Sequence, residues 1–337
     1  MCHKSSSSLK EVLYPGCVSD SFNLFTMAAP IVIVFGATGR VGSFAARTAQ
    51  SLGAKVFLAS RDTDKPIPGL SAEAEQAGGY QRIAADLTQP GSVAEAVKTS
   101  GATRAFFYSA HGAVDFMKSS IVALKSAGIE WVVFLSSYTV TGEPSAVPSH
   151  EITPYVHARV EVNLDEIFGA SNYMAVRPGS FATNTLWFKS QIQKGAVPML
   201  APNVMYDWVA PNDIGAVCGT FLTNGKRPYT ANHAYVLGPG LISRKEAVAT
   251  IAQHLDMEVE FQDSSEEMEF NKLTAVGIPA TAATYIVNKL QDQSRGDCSV
   301  FSQEAIEEGP KTIQVLAGRQ AMGFSDWIEQ NKNLFLD

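Results

Sequence analysis

The sequence predicts a doubly wound α/β fold with a smaller C-terminal α/β lobe, and three observations predict it. From Met27 onward, short β-rich apolar runs alternate with helical patterns, the signature of a parallel sheet wrapped by helices. The runs are apolar at consecutive positions, as strands covered on both faces must be. The first of them, IVIVF, opens into the glycine-rich turn GATGRVG at 36–42 and then into a helix.

Taken in order, strands are expected at 31–35, 55–59, 81–85, 105–109, 131–136 and 173–177, with helices near 41–52, 91–99, 113–127 and 155–168. Six strands in this rhythm make a Rossmann-type sheet, which the sequence places at 28–184. Beyond about residue 185 the rhythm weakens, and 185–337 is expected to be a smaller substrate-binding lobe closing over the strand ends. Within it, VAPNDIG at 209–215 offers Asn212 or Asp213 as a helix cap, and 242–255 has helical composition. Residues 1–27 hold a four-serine run, no sustained periodicity and no continuous apolar core of the kind a secretory signal needs. That segment is expected to be disordered.

Composition narrows the partners. The chain of 337 residues carries 33 acidic against 26 basic residues, a formal charge of -7, and no Lys/Arg block. A nucleic-acid partner is therefore not expected. The longest apolar runs are too short to span a bilayer, so no membrane partner is expected either. Cys2, Cys17, Cys218 and Cys298 are far apart without a C-x-x-C pair, which argues against a metal site and a disulfide framework and for a reducing, cytoplasmic setting.

The glycine-rich turn is the strongest functional signal. Gly36, Gly39 and Gly42 permit a tight turn, close approach of backbone to a diphosphate and close helix packing, while Thr38, Arg40 and Val41 bring amides to the positive end of the helix. The spacing is G-x-x-G-x-x-G, with Ala37 where the commoner motif has its second glycine. At the end of the second strand Arg61 stands where a ribose-reading residue falls, and a guanidinium there favours a 2′-phosphate. The expected cofactor is thus NADP(H), with Asp62 and Lys65 close by. Asp86 and Leu87, just past the third strand, are placed to meet the adenine or to form a solvated turn.

Ser136, Ser137 and Tyr138 fall at the end of the fifth strand, where ligands bind in open α/β sheets, and their hydroxyls could polarise a carbonyl. The nearest match to a Y-x-x-x-K catalytic pair is Tyr155 with Arg159. Val156, Val160, Leu164 and Ile167 form an apolar stripe, leaving Tyr155 and Arg159 on one flank of the helix and His157 with Glu161 on the other. Trp187, Phe188, Met199, Tyr206 and Trp208 could line an apolar pocket for a small-molecule substrate.

Several segments in this order resemble the NmrA-like family, an atypical branch of the short-chain dehydrogenases and reductases: GATGRVGS at 36–43, SRD at 60–62, AADL at 84–87, FLSSY at 134–138, HARVE at 157–161, VRPGSFATN at 176–184 and GFSDWIEQNKNLF at 323–335. The resemblance implies that Phe107, Tyr108 and Ser109 lie along the cofactor. It likewise implies that Pro178, Gly179, Ser180 and Phe181 face the nicotinamide end, with Asn184 near the substrate. His157 occupies the position where the family usually has a lysine, and no lysine occurs between Lys125 and Lys189; His157 is accordingly expected beside the nicotinamide ribose. The family contains NADP(H)-dependent oxidoreductases, some in fungal secondary metabolism, and cofactor-binding redox-sensing regulators. An NADP(H)-dependent oxidoreductase with His157, Tyr155 and Ser136 as catalytic candidates is the expected function; a non-catalytic regulator, or an isomerase or cyclase using the same cleft, is the alternative.

Overall fold

The computed structural model describes residues 29–110, 112–225 and 229–336; the segment 1–27 lies outside them. In its first half, strands and helices alternate as β1 (Ile31–Phe35), α1 (Arg40–Ser51), β2 (Lys55–Ser60), α2 (Ala72–Ala77), β3 (Gln81–Ala84), α3 (Pro90–Ser100), β4 (Arg104–Tyr108), α4 (Lys118–Ala127), β5 (Trp131–Leu135), α5 (Ile152–Phe168) and β6 (Tyr173–Pro178). There follow α6 (Lys189–Gln193), β7 (Ala196–Met199), β8 (Met205–Tyr206), α7 (Pro211–Asn224), β9 (His233–Val236), β10 (Ile242–Ser243), α8 (Arg244–His254), β11 (Glu260–Asp263), α9 (Glu266–Ala275), α10 (Ala280–Arg295), α11 (Gln303–Ala317), α12 (Phe324–Asn331) and α13 (Asn333–Leu336).

The central sheet has seven parallel strands in the order β3-β2-β1-β4-β5-β6-β9. The chain reverses its direction of travel between β1 and β4, and a crevice opens there at the carboxyl ends of the strands. Consecutive apolar residues follow from two covered faces: Val32 and Val34 pack with α1, α7 and α11, whereas Ile33 and Phe35 pack with α3, α4 and α5. Each such side chain stabilises the fold by about 1.5–3 kcal/mol relative to exposure.

The sheet has seven strands, not six, and the seventh, β9, comes from beyond residue 184, so that boundary does not partition the sheet. Helix α7, assigned by sequence to the second lobe, instead covers the sheet beside α1. The reason is steric: a Cβ on Gly215 would stand 2.3 Å from Phe44 Cβ, and one on Gly219 would stand 2.6 Å from the Ala45 carbonyl oxygen. Two glycines one turn apart let the helix backbones approach. The cap of α7 is Ala210, with Pro211 in the first turn. Asn212 and Asp213 fall inside the helix, where the Asp213 carboxylate accepts from the Met322 amide (2.7 Å) and pairs with Arg319 (2.5 Å). In the 242–255 run, Ser243 caps α8 through a capping box with Glu246.

The rest of the C-terminal part holds two small sheets, β7 with β11 and β8 with β10. Its main apolar cluster joins Trp208, Phe188, Val248, Ile251, Phe324 and Trp327. Helices α9 and α10 share Leu273, Ala283 and Val287. Among the described residues no helix is long and apolar enough to cross a membrane.

Candidate functional site

The turn between β1 and α1 is held by geometry that glycine alone allows. Gly36 has φ +77°, and a Cβ there would lie 2.4 Å from the Tyr108 ring; a Cβ on Gly42 would lie 2.3 Å from the Gly36 carbonyl oxygen. Gly39 is the cap of α1 and supplies no side-chain bond, and the first turn carries no acidic residue. The amides of Arg40, Val41 and Gly42 therefore have no intrahelical acceptor, the general condition of a helix start, and they face no carboxylate of their own turn. These features fit a diphosphate. Val41 is buried, so its amide is what it can offer, and Ala37 is fully buried in the core. Thr38 is half-buried. Arg40 lines a small cleft with Phe44, Pro211, Asn212 and Trp327.

At the tip of β2, Arg61, Asp62 and Lys65 are all exposed. The Asp62 carboxylate accepts from the Asp64 amide at 2.9 Å. What shapes this loop is a residue the sequence reading passed over. Arg82 on β3 grips Glu75 at 2.6 and 2.8 Å and donates to the carbonyls of Thr63 and Lys65. Asp86 makes the solvated turn: its carboxylate accepts from the Thr88 amide (2.9 Å) and hydroxyl (2.8 Å), which holds it below the usual aspartate range. Leu87 is buried in the core with Val93 and Ile121, so its side chain does not present a face to an adenine.

A cavity of about 1150 Å³ opens at the carboxyl ends of β4, β5 and β6. It gathers Tyr108, Ser109, Ser136, Tyr138, His157, the stretch Pro178 to Phe181, Asn184, Trp187 and Trp208 from the expected site residues. Three candidates lie elsewhere, of which Met199 is buried in the apolar cluster with Phe188 and Trp208. Phe107 is fully buried against Phe134 (ring centroids 5.1 Å apart), because the pleat that brings Tyr108 to the crevice turns its predecessor into the core. Tyr155 is absent from the cavity wall and sets its ring edge-on to Phe116 at 5.6 Å.

Glu161 is buried and bound by Arg177 of β6 at 2.6 and 3.1 Å, with Ser136 donating to it at 2.5 Å. A carboxylate withdrawn from water needs a cation and further donors, and these are what the neighbouring strands supply. Ser136 is thereby committed to Glu161. His157 stands in the cavity wall, its ring tilted toward Phe134 at 6.1 Å.

Asp207 fixes the floor. It accepts from the amides of Ser180 (2.7 Å) and Gly238 (3.0 Å), and its Oδ2 lies 2.1 Å from where a Gly179 Cβ would be. Burial pushes its carboxyl up to about 7 against the pull of those two bonds. The neighbouring Tyr138 phenol is bonded by Ser180 and raised well above its usual range by burial.

The wall opposite the sheet carries polar groups that sequence reading missed. Glu151, beside the start of α5, accepts from the Tyr285 hydroxyl (2.9 Å) and from Lys289 (2.8 Å), both on α10. Burial and the Glu151 contact raise the Tyr285 phenol. Tyr285 and Lys289 have the Y-x-x-x-K spacing in the sequence, but on α10 rather than on the helix after the fifth strand. Beside them, Arg244, Glu269 and Lys272 form a buried charged cluster. Tyr206, bonded to Gln293 at 3.1 Å, sets its ring 5.2 Å from Trp208 at a tilt of 59°.

Fold and site together define a Rossmann-type α/β protein with a glycine-built turn at the start of α1 and a pocket across the carboxyl ends of its strands. The chain belongs to the NmrA-like family, whose model matches residues 29–309. The nitrogen metabolite regulation-like protein bik4 of Gibberella fujikuroi is 32% identical over 326 residues, covering 91% of this chain and 98% of that protein. The (4-alkanoyl-5-oxo-2,5-dihydrofuran-3-yl)methyl phosphate reductase of Streptomyces griseus is 26% identical over 308 residues, 90% of this chain and 99% of that one. In structure, the NADPH-dependent quinone oxidoreductase QOR2 of Escherichia coli, complexed with NADPH, matches with TM-score 0.68 at 18% identity, covering 91% and 100% of the two chains.

Proposed function

We propose that the protein is an NADP(H)-dependent oxidoreductase acting on a largely apolar organic substrate, in keeping with a role in secondary metabolism. One observation carries the reading: Tyr108 covers Gly36 and also lines the large cavity, which makes the glycine turn and the pocket parts of one crevice. In this reading the first-turn amides of α1 hold the diphosphate, and Arg61 with Lys65 holds a 2′-phosphate. Ser109, His157 and the Pro178 to Phe181 stretch flank the nicotinamide end. The bound cofactor supplies or accepts the hydride. Proton delivery falls to His157 in the cavity wall, because Tyr155 is outside the cavity, Ser136 is committed to Glu161, burial and Glu151 raise the Tyr285 phenol, and the Glu151 bond raises the Lys289 ammonium. Trp187, Tyr206 and Trp208 offer aromatic faces to the substrate. The reductase names carried by the Streptomyces and Escherichia coli proteins support this assignment.

A second reading, a cofactor-sensing regulator without turnover, is favoured by the absence of lysine from α5 and by the name of the Gibberella relative. Purified protein, NADPH and a panel of naphtho- and anthraquinones separate the two by absorbance at 340 nm. Sustained loss of absorbance that Gly39→Asp abolishes is expected, since a carboxylate at the α1 cap repels the diphosphate. NADPH binding without oxidation across the panel would instead favour the regulator.

A further inference from the structure

Two cations and one carboxylate are enclosed together at the wall of the cavity. Arg244 meets Glu269 at 2.5 Å and Lys272 meets the same carboxylate at 2.8 Å, with side-chain exposures of 5%, 8% and 1% for Arg244, Lys272 and Glu269. Both cations also flank the Phe188 ring, at 5.4 and 4.0 Å. Among the described residues, the ion pairs of both cations go to Glu269. The neighbouring charges are engaged elsewhere: Glu246 in the α8 cap, Glu266 with Gln291, and Lys289 with Glu151. The cluster thus encloses one positive charge more than it answers, where a lone charge is costly.

Arg244 and Glu269 both line the cavity, whereas Lys272 stands behind them. Of the Arg244 donors, one is taken by the Leu200 carbonyl and one by Glu269; Nε and the second hydrogens of the terminal nitrogens remain. We infer that this wall is an anion subsite, and that the substrate carries an acidic oxygen group, a carboxylate or phosphate ester, which docks on Arg244 and completes the cluster. The inference rests on reading the cavity as the substrate pocket. Burial, with Arg244 beside it, brings Lys272 down to about 8, so the excess charge is still present at neutral pH and has an anion to gain.

The test compares anthraquinone-2-carboxylate with its neutral amide, anthraquinone-2-carboxamide, binding to the full chain by calorimetry at pH 7. The acid is expected to bind at least about tenfold tighter. That ratio should fall toward one in Lys272→Met, where Arg244 and Glu269 are left as a neutral pair, and should rise in Glu269→Gln. A general loss of structure weakens both probes and leaves their ratio alone, so opposite movement of the ratio in the two variants reports the charge itself. Equal binding of acid and amide, binding of neither, or a ratio that both variants leave unchanged would overturn the inference. Neither probe requires NADPH, so failure here leaves the cofactor assignment standing.

Discussion

Single residues decide whether the floor of the crevice holds its shape. Asp207 bonds two backbone amides from deep inside the protein, and its carboxyl sits near 7 in the fold against about 3.9 in an unfolded chain. Between those values the folded state keeps a proton that the unfolded state has released, so stability falls as pH rises through the window and levels off above about 7. A displacement of that size corresponds to on the order of 4 kcal/mol. Denaturant unfolding from pH 5 to pH 8 should show the decline in the wild type and a flatter line in Asp207→Asn. An identical slope in both proteins would mean that Asp207 is not the group involved. No local pattern marked this residue, because its partners, Ser180 and Gly238, are about thirty positions away on either side. Gly36, Gly39 and Gly42 were legible for the opposite reason: their work is done within one turn of chain.

At the scale of elements, periodicity found the helices but not always the face they bury. Val156, Val160, Leu164 and Ile167 were read as the inward stripe of α5. Val160 and Leu164 are buried as expected, but Val156 and Ile167 are only half-buried, and Pro154, Ala158, Glu161, Asn163 and Phe168 complete the buried face. The helix is turned so that Glu161 meets Arg177 and Ser136, which leaves Val156 and Ile167 half-buried at the edge of the packed face. Its partners arrive from β5 and β6, which a helix-by-helix reading does not see. The α1 and α7 contact was hidden in a similar way, since G-x-x-x-G at 215–219 reads as an ordinary helix until its partner is known. Gly219→Val should cost several kcal/mol through overpacking against Ala45 and Thr48. It should also weaken NADPH binding, because α1 carries the diphosphate amides; thermal unfolding and cofactor titration on the same preparation check both effects. An unchanged melting temperature would refute the close-packing account.

Across the whole molecule, the doubly wound sheet, its glycine crevice and the family were legible from residue 28 onward. The contribution of β9 and α7 to the first layer was not, for both arrive after a long excursion through the C-terminal part. The cavity was half legible: its sheet side follows from strand ends, whereas its far wall depends on how α9 and α10 fold back over them. The central claim is that a diphosphate rests on the start of α1 and an additional phosphate on Arg61. Fluorescence titration of the wild type and Arg61→Glu with NADPH and NADH tests it most directly. The wild type should bind NADPH at least about tenfold tighter than NADH, a difference of about 1.4 kcal/mol, and Arg61→Glu should remove or reverse that preference. Failure of both nucleotides to bind below about 100 μM, an affinity of roughly 5–6 kcal/mol, or a preference that Arg61→Glu leaves untouched, would contradict it.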